Sequence, residues 1–197
     1  MTLSSKIGLY EQLHATQAYG NTSVKNLRFL RPHLRLRKPA SLLDYGCGQS
    51  RLLEALDMPE GVALVRYDPA IPAFSERPQA PCDVLLNVDV LEHVPESELD
   101  NVLADMRALC TDAIIVIDTE PAKQILANGE NAHCTLHDAD WWQARLKPYF
   151  PTLSRIRVAR RGRAAFITWE YGLAERLRFA ALRMVEQVKY IVSRAMR

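Results

Sequence analysis

No stretch of the chain approaches the roughly 18 consecutive apolar residues that a membrane-crossing helix needs. The amino-terminal segment is polar and has no apolar core of the kind that marks a secretion signal. The four cysteines, at positions 47, 82, 110 and 134, never fall in C-x-x-C spacing. That excludes a zinc ribbon or a disulfide framework and points to a reducing compartment. Internal repeats and low-complexity tracts are absent. With 197 residues, 48% of them hydrophobic, the chain can bury the core of one domain, and a cytoplasmic protein is expected.

Net charge is scarce too, at +2, but the small sum hides an asymmetry. Residues 1–38 carry 7 basic and 1 acidic side chains, residues 39–154 carry 7 and 19, and residues 155–197 carry 11 and 3. An acidic middle suits a site for a cation, whereas basic ends suit an anionic partner such as a membrane, a nucleic acid or an acidic substrate.

A third glycine is also missing. The apolar run before Asp44 leads into Tyr45-Gly46-Cys47-Gly48-Gln49-Ser50, and the position where a dinucleotide fingerprint would carry its last glycine is Arg51. That glycine lets the helix pack closely on the strand, which arginine cannot do. The loop still brings backbone N–H groups and a helix start to one point, an arrangement that favours a carboxylate or phosphate. Asp44 at the strand end repels a pyrophosphate and welcomes an ammonium group.

Two further strand ends carry acids. Val62 to Tyr67 ends in Asp68-Pro69, about 20 positions after the glycine loop, where an acid can accept hydrogen bonds from ribose hydroxyls. Asp-Pro also opens ordinary turns. Asp83 to Val88 ends in Asp89-Val90-Leu91-Glu92-His93-Val94-Pro95. Three acids in succession at the carboxyl ends of parallel strands suggest a cationic ligand.

Together these segments resemble the cofactor site of class I S-adenosylmethionine-dependent methyltransferases, over about Tyr10 to Tyr171. The resemblance implies that Gly46, Cys47 and Gly48 pass under the methionine part of S-adenosyl-L-methionine with Asp44 near its amino group. It places Tyr67 and Asp68 at the ribose, Asp89 and Val90 beside the methyl-transfer pocket, and His93 as the leading base. Tyr10 to Gly20 is similar to an amino-terminal lid, which brings Tyr19 to the cofactor. Asn131-Ala132-His133 and Trp141-Trp142 resemble the same subset, some members of which are associated with glycan pathways, so His133 is a second catalytic candidate. Asp89, Glu92, His93 and His133 loosely resemble the ligand set of metal-assisted RNA methyltransferases, but Val94 stands where that family has a second histidine, and no metal is expected.

The order of elements agrees. Helical pattern covers about Ser23 to Arg37, Arg51 to Leu56, Glu98 to Leu109 with Ser97 as N-cap, and Asp140 to Tyr149. Strands are expected at Ser41 to Tyr45, Val62 to Tyr67, Val84 to Val88 and Ala113 to Asp118, followed by a hairpin of Leu153 to Arg160 and Arg163 to Glu170 around Arg161-Gly162. The expected fold is α/β: a Rossmann-like, mostly parallel sheet with helices on both faces, a carboxy-terminal antiparallel hairpin and a terminal amphipathic helix. One departure stands out, since only 14 residues separate Asp68 from Asp83. A strand of about 5 and a helix of about 11 residues do not fit there, so that edge of the sheet is shortened. Residues 1–38 are expected as a helical lid, 39–171 as the methyltransferase domain and 172–197 as a basic helix.

That last helix aligns Leu173, Leu177, Ala181, Met184, Val188, Ile191 and Ala195 on one face. Packing on its own domain, a homodimer contact and peripheral membrane attachment all fit such a stripe. The expected activity is methyl transfer to an oxygen or nitrogen of a small molecule or glycan precursor. The alternatives are a cofactor-binding regulator without catalysis and a nucleic-acid methyltransferase; nucleic acid is disfavoured by the lack of an N-P-P-Y motif and of interleaved aromatic and basic residues.

Overall fold

The computed structural model describes residues 2–17, 23–158 and 162–196. After α1 (Leu3–Thr16) and α2 (Leu27–Arg37) come β1 (Ser41–Tyr45), a one-turn α3 (Leu52–Leu56), β2 (Ala63–Tyr67) and β3 (Cys82–Val88). Then follow α4 (Leu99–Ala108), β4 (Cys110–Asp118), α5 (Ala139–Leu146), β5 (Ser154–Arg155), β6 (Arg163–Ile167) and α6 (Leu173–Ala195). The six strands form one sheet in the order β2-β1-β3-β4-β6-β5, parallel from β2 to β4 and antiparallel at β6 and β5. Interior strand β1 pairs through Leu43 with Val65 on one side and Leu85 on the other.

Period-two alternation divides the aliphatic strands between two cores. On one face Leu43, Leu85, Ile115 and Ile117 pack with Leu99, Leu103 and Met106 of α4 and Trp142 of α5. On the other, Leu42, Leu86, Ile114 and Val116 meet Leu30 and Leu34 of α2 and the three leucines of α3. The result places the carboxyl ends of β1, β2 and β3 side by side at one rim, the position at which open parallel sheets bind ligands.

The shortened edge is present. Between Asp68 and Cys82 the chain makes only a 3₁₀ turn, Pro72–Phe74, and among the described residues no strand pairs with the outer side of β2. Leu64 and Val65 are accordingly 45% and 39% exposed. Two local expectations change. Ser97 does not cap α4: a 3₁₀ turn at Glu96–Glu98 leads into the helix, and the N-cap Glu98 makes no side-chain cap bond. The strand expected from Leu153 to Arg160 pairs at Ser154–Arg155, residues 159–161 lie outside the described residues, and its partner ends at Ile167 rather than Glu170.

Candidate active site

Where β1 ends, Gly46 takes φ +78°, and a Cβ there would stand 2.6 Å from both methyls of Val90. Only glycine fits, so the loops after β1 and β3 can touch. The amides of this loop have partners within the protein. Gly46 N–H and Cys47 N–H both donate to the Tyr67 carbonyl, at 2.8 and 3.1 Å, and Gly48 N–H donates to Asp68 Oδ2 at 2.7 Å. Ser50 Oγ accepts from Leu52 N–H at the start of α3. The expectation of an open anion cradle is therefore corrected: the converging donors are aimed at the tip of β2, and the carboxylate they hold is Asp68.

Asp68 also accepts from Ala70 N–H at 2.8 Å. Two of the roughly four lone-pair sites of a carboxylate remain for hydroxyl donors. Asp44 lies beneath the loop, 3% exposed, with no hydrogen-bond partner for Oδ2. Burial pushes its carboxyl up to about 7, against the pull of Arg66. An orphaned buried carboxylate behind the loop fits a ligand that brings an ammonium group. Asp89, in contrast, is already neutralised by a two-point pair with Arg163 (2.7 and 3.0 Å). It sits at φ +60°, a strained conformation for a residue with a side chain. Of the three strand-end acids, then, Asp89 has its countercharge and Asp44 is raised by burial toward neutrality.

A hollow of about 200 Å³ lies at this rim, lined by Gly46, Gly48, Tyr67, Asp68, Asp89, Val90 and His93. Asp44 and Cys47 do not line it; the Cys47 thiol is buried, and desolvation pushes it up to about 12. Tyr19 lies outside the described residues. The roof of the hollow is α1, which contributes Lys6, Ile7, Tyr10 and His14. Tyr10 Oη lies 2.6 Å from His93 Nδ1 and donates to the Ala132 carbonyl at 3.0 Å, while Gln49 Nε2 donates to the His14 carbonyl at 2.9 Å. Tyr10 and His14 fall within the segment that resembles the lid, whereas Lys6 and Arg163 carry no local sequence signal.

His93 Nδ1 is 3.1 Å from the Ala132 carbonyl, a contact it makes as a donor when that nitrogen carries the ring proton. Burial, with His133 and Lys6 adding to it, lowers His93 to about 3, against the carbonyls of Ala132 and Asp89. His133 stacks edge-on at 4.7 Å between ring centroids and donates from Nδ1 to the Glu120 carbonyl. It faces an adjoining hollow, with Lys6 shared between the two. Trp141 stacks on His137 at 3.7 Å, and Trp142 is wholly in the core, so neither tryptophan lines the hollow.

Glu92, His93 and His133 bring donor atoms within 4.8 Å of one another, a spacing that could hold a metal ion. Glu92 Oε1 is taken by Asp118 N–H, and the Lys6 ammonium, 2% exposed and paired with Glu130 at 3.6 Å, acts on the same cluster.

Residues 17–177 match the model of a family described as a methyltransferase domain. The chain belongs to that methyltransferase family. It is an S-adenosylmethionine-dependent enzyme, and Asp68 in the wall of the hollow, with lone pairs left over, and the unpartnered Oδ2 of Asp44 behind the loop fit that cofactor. Similar solved structures include an O-methyltransferase family protein from Burkholderia thailandensis, 12% identical over 71% of this chain and 54% of that one, with a TM-score of 0.51. The mitomycin 7-O-methyltransferase MmcR is 12% identical over 83% and 53%, with a TM-score of 0.50. The methyltransferase spans about half the length of each, and at these identities the likeness is one of fold. The 1,6-didemethyltoxoflavin-N1-methyltransferase of Burkholderia thailandensis, solved with S-adenosylhomocysteine, is 16% identical over 73% and 76%, with a TM-score of 0.49. No curated protein matches the sequence.

Proposed function

We propose that this methyltransferase acts on an oxygen or nitrogen of a small molecule or glycan precursor. The observation that carries the reading is the placement of neutral His93 in the wall of the same hollow as Gly46, Gly48 and Asp68. Asp68 would hold the ribose and Asp44 the amino group of the cofactor. Bound there, S-adenosylmethionine supplies an electrophilic methyl group on a sulfonium and leaves as a neutral thioether. The pairing of Asp89 with Arg163 keeps a bare carboxylate away from the reacting centre.

The protein's tasks are alignment and proton removal. Holding an acceptor in line supplies roughly 7 to 11 kcal/mol in favourable cases. A positioned base adds about 10²- to 10⁴-fold. With the ring proton on Nδ1, toward the Ala132 carbonyl, Nε2 of His93 is the atom that would take the acceptor's proton, and the carbonyls of Ala132 and Asp89 favour the resulting cation. Burial works against the protonated ring, which makes proton removal the demanding part of the step.

At about 200 Å³ the hollow is smaller than the roughly 300 Å³ at which ligand pockets begin. An outward movement of α1, its roof, would give cofactor and acceptor together the room they need, as a lid does. The test is incubation with S-adenosylmethionine and a panel of sugars, phenols and amines, with S-adenosylhomocysteine and methylated product measured together. Turnover on a hydroxyl or amine of a small molecule supports the reading; tight cofactor binding with methylation of nucleic acid alone overturns it.

A further inference from the structure

Helix α6 buries a carboxylate and leaves its aliphatic face exposed, the reverse of an ordinary packed helix. Glu186 is its one buried residue, 2% exposed, held by Arg35 at 2.7 Å and Arg31 at 3.4 Å from α2. Phe179 completes that contact, 4.4 Å from the His33 ring. On the far side Leu173 is 79% exposed, Leu177 69%, Met184 66%, Val188 52% and Ile191 57%.

We propose that this face of α6 lies on an anionic lipid surface. At 100° per residue the aliphatic arc is bordered on one side by Arg176, Arg183 and Arg194 and on the other by Arg178 and Lys189. Cations on both borders of an apolar arc let the helix lie in the interface plane, its stripe among acyl chains and its guanidinium groups at the phosphates. Among the described residues the four arginines are in no ion pair, and Arg176 and Arg183 also line a cleft of about 410 Å³ beside the helix. No helix of the described residues is long and apolar enough to cross a membrane, so α6 rests on the surface rather than spanning it.

A second copy of the chain is the poorer occupant. The helix has two acids, and both are committed: Glu186 to α2, and Glu175 to the Gly172 N–H at 2.9 Å. Two such faces brought together would set arginines against arginines with no carboxylate between them. The matched methyltransferase domain ends at residue 177, near the start of α6, so most of this face lies beyond it.

The experiment is co-sedimentation of the full chain with phosphatidylcholine vesicles, with and without one third phosphatidylglycerol, in low and high salt, alongside sedimentation mass in solution. Expected are binding to the anionic vesicles only, a weakening with salt, and a loss of about tenfold or more for both Ile191→Asp and Arg178→Glu. Circular dichroism and cofactor binding of these variants should match the parent. Equal pelleting with neutral vesicles, indifference to both substitutions, or a two-chain mass that Ile191→Asp returns to one chain would overturn the proposal.

Discussion

The Tyr10 hydroxyl lies 2.6 Å from Nδ1 of His93, joining the roof of the hollow to its wall. Tyr10→Phe removes that contact and keeps the ring. The expected result is a fall in kcat of about tenfold or less with unchanged cofactor affinity, since the Ala132 carbonyl remains beside Nδ1. His93→Ala should cost about 10²- to 10⁴-fold in kcat, again sparing cofactor binding. Steady-state kinetics beside calorimetry separates the two; equal effects would show that the contact only shapes the lid.

Asp68 joins the glycine loop to β2 through two N–H donors. Asp68→Ala leaves both unpaired and removes the ribose acceptor, so cofactor binding should disappear in calorimetry. Stability should fall by about 1 to 3 kcal/mol for each donor left buried without a partner. Retained binding would discredit the assignment of the ribose site.

The raised carboxyl of Asp44 carries a pH signature. Its folded pKa of about 7 lies above the unfolded 3.8, so the native state binds the extra proton between these values, and stability drains away as pH rises through that window. Asp44→Asn should remove this loss and melt higher at pH 8, by at most about 4 kcal/mol. A bound ammonium needs the ionised form, so parent cofactor affinity should strengthen from about pH 6 to 8, and the variant's should not. Thermal melts and calorimetry across this range check both signs.

Hydrogen exchange tests the lid. With α1 tied down at Tyr10 and Gln49, its amides should exchange faster when cofactor alone displaces the helix and slow again when an acceptor completes the site. Exchange in α1 that ignores both ligands would mean that the helix does not move.

Chelation should leave turnover unchanged, although Glu92, His93 and His133 converge within 4.8 Å. A divalent ion there would meet the buried ammonium of Lys6. Loss of activity with EDTA, restored by one metal, would favour a metal-assisted reaction.

Much of the frame was legible because strand ends are punctuated locally. Ser41 to Tyr45 was bounded by its glycine loop, and the 14 residues between Asp68 and Asp83 foretold the truncated edge. What escaped depends on distance in the chain. Arg163 reaches Asp89 from 74 residues away, and the loop amides find Tyr67 across the sheet; neither leaves a mark in a local pattern. In α6 the period revealed a stripe but not which way it faces, because α2 offers Glu186 two arginines and thereby turns the helix over. The pocket role of Lys6 was hidden for a similar reason, since a lysine in a polar helix looks like a solvated one until its neighbours are known.

The missing strand beyond β2 gives that flank of the cofactor rim less mechanical support than an interior strand would have. With its outer hydrogen-bonding groups facing water and Leu64 and Val65 half uncovered, β2 has one neighbour where an interior strand has two. Asp68 stands at its tip. A molecule gripped there braces the sheet as well as entering a reaction, and part of its binding energy goes into stiffening an edge that the chain leaves without a buttress.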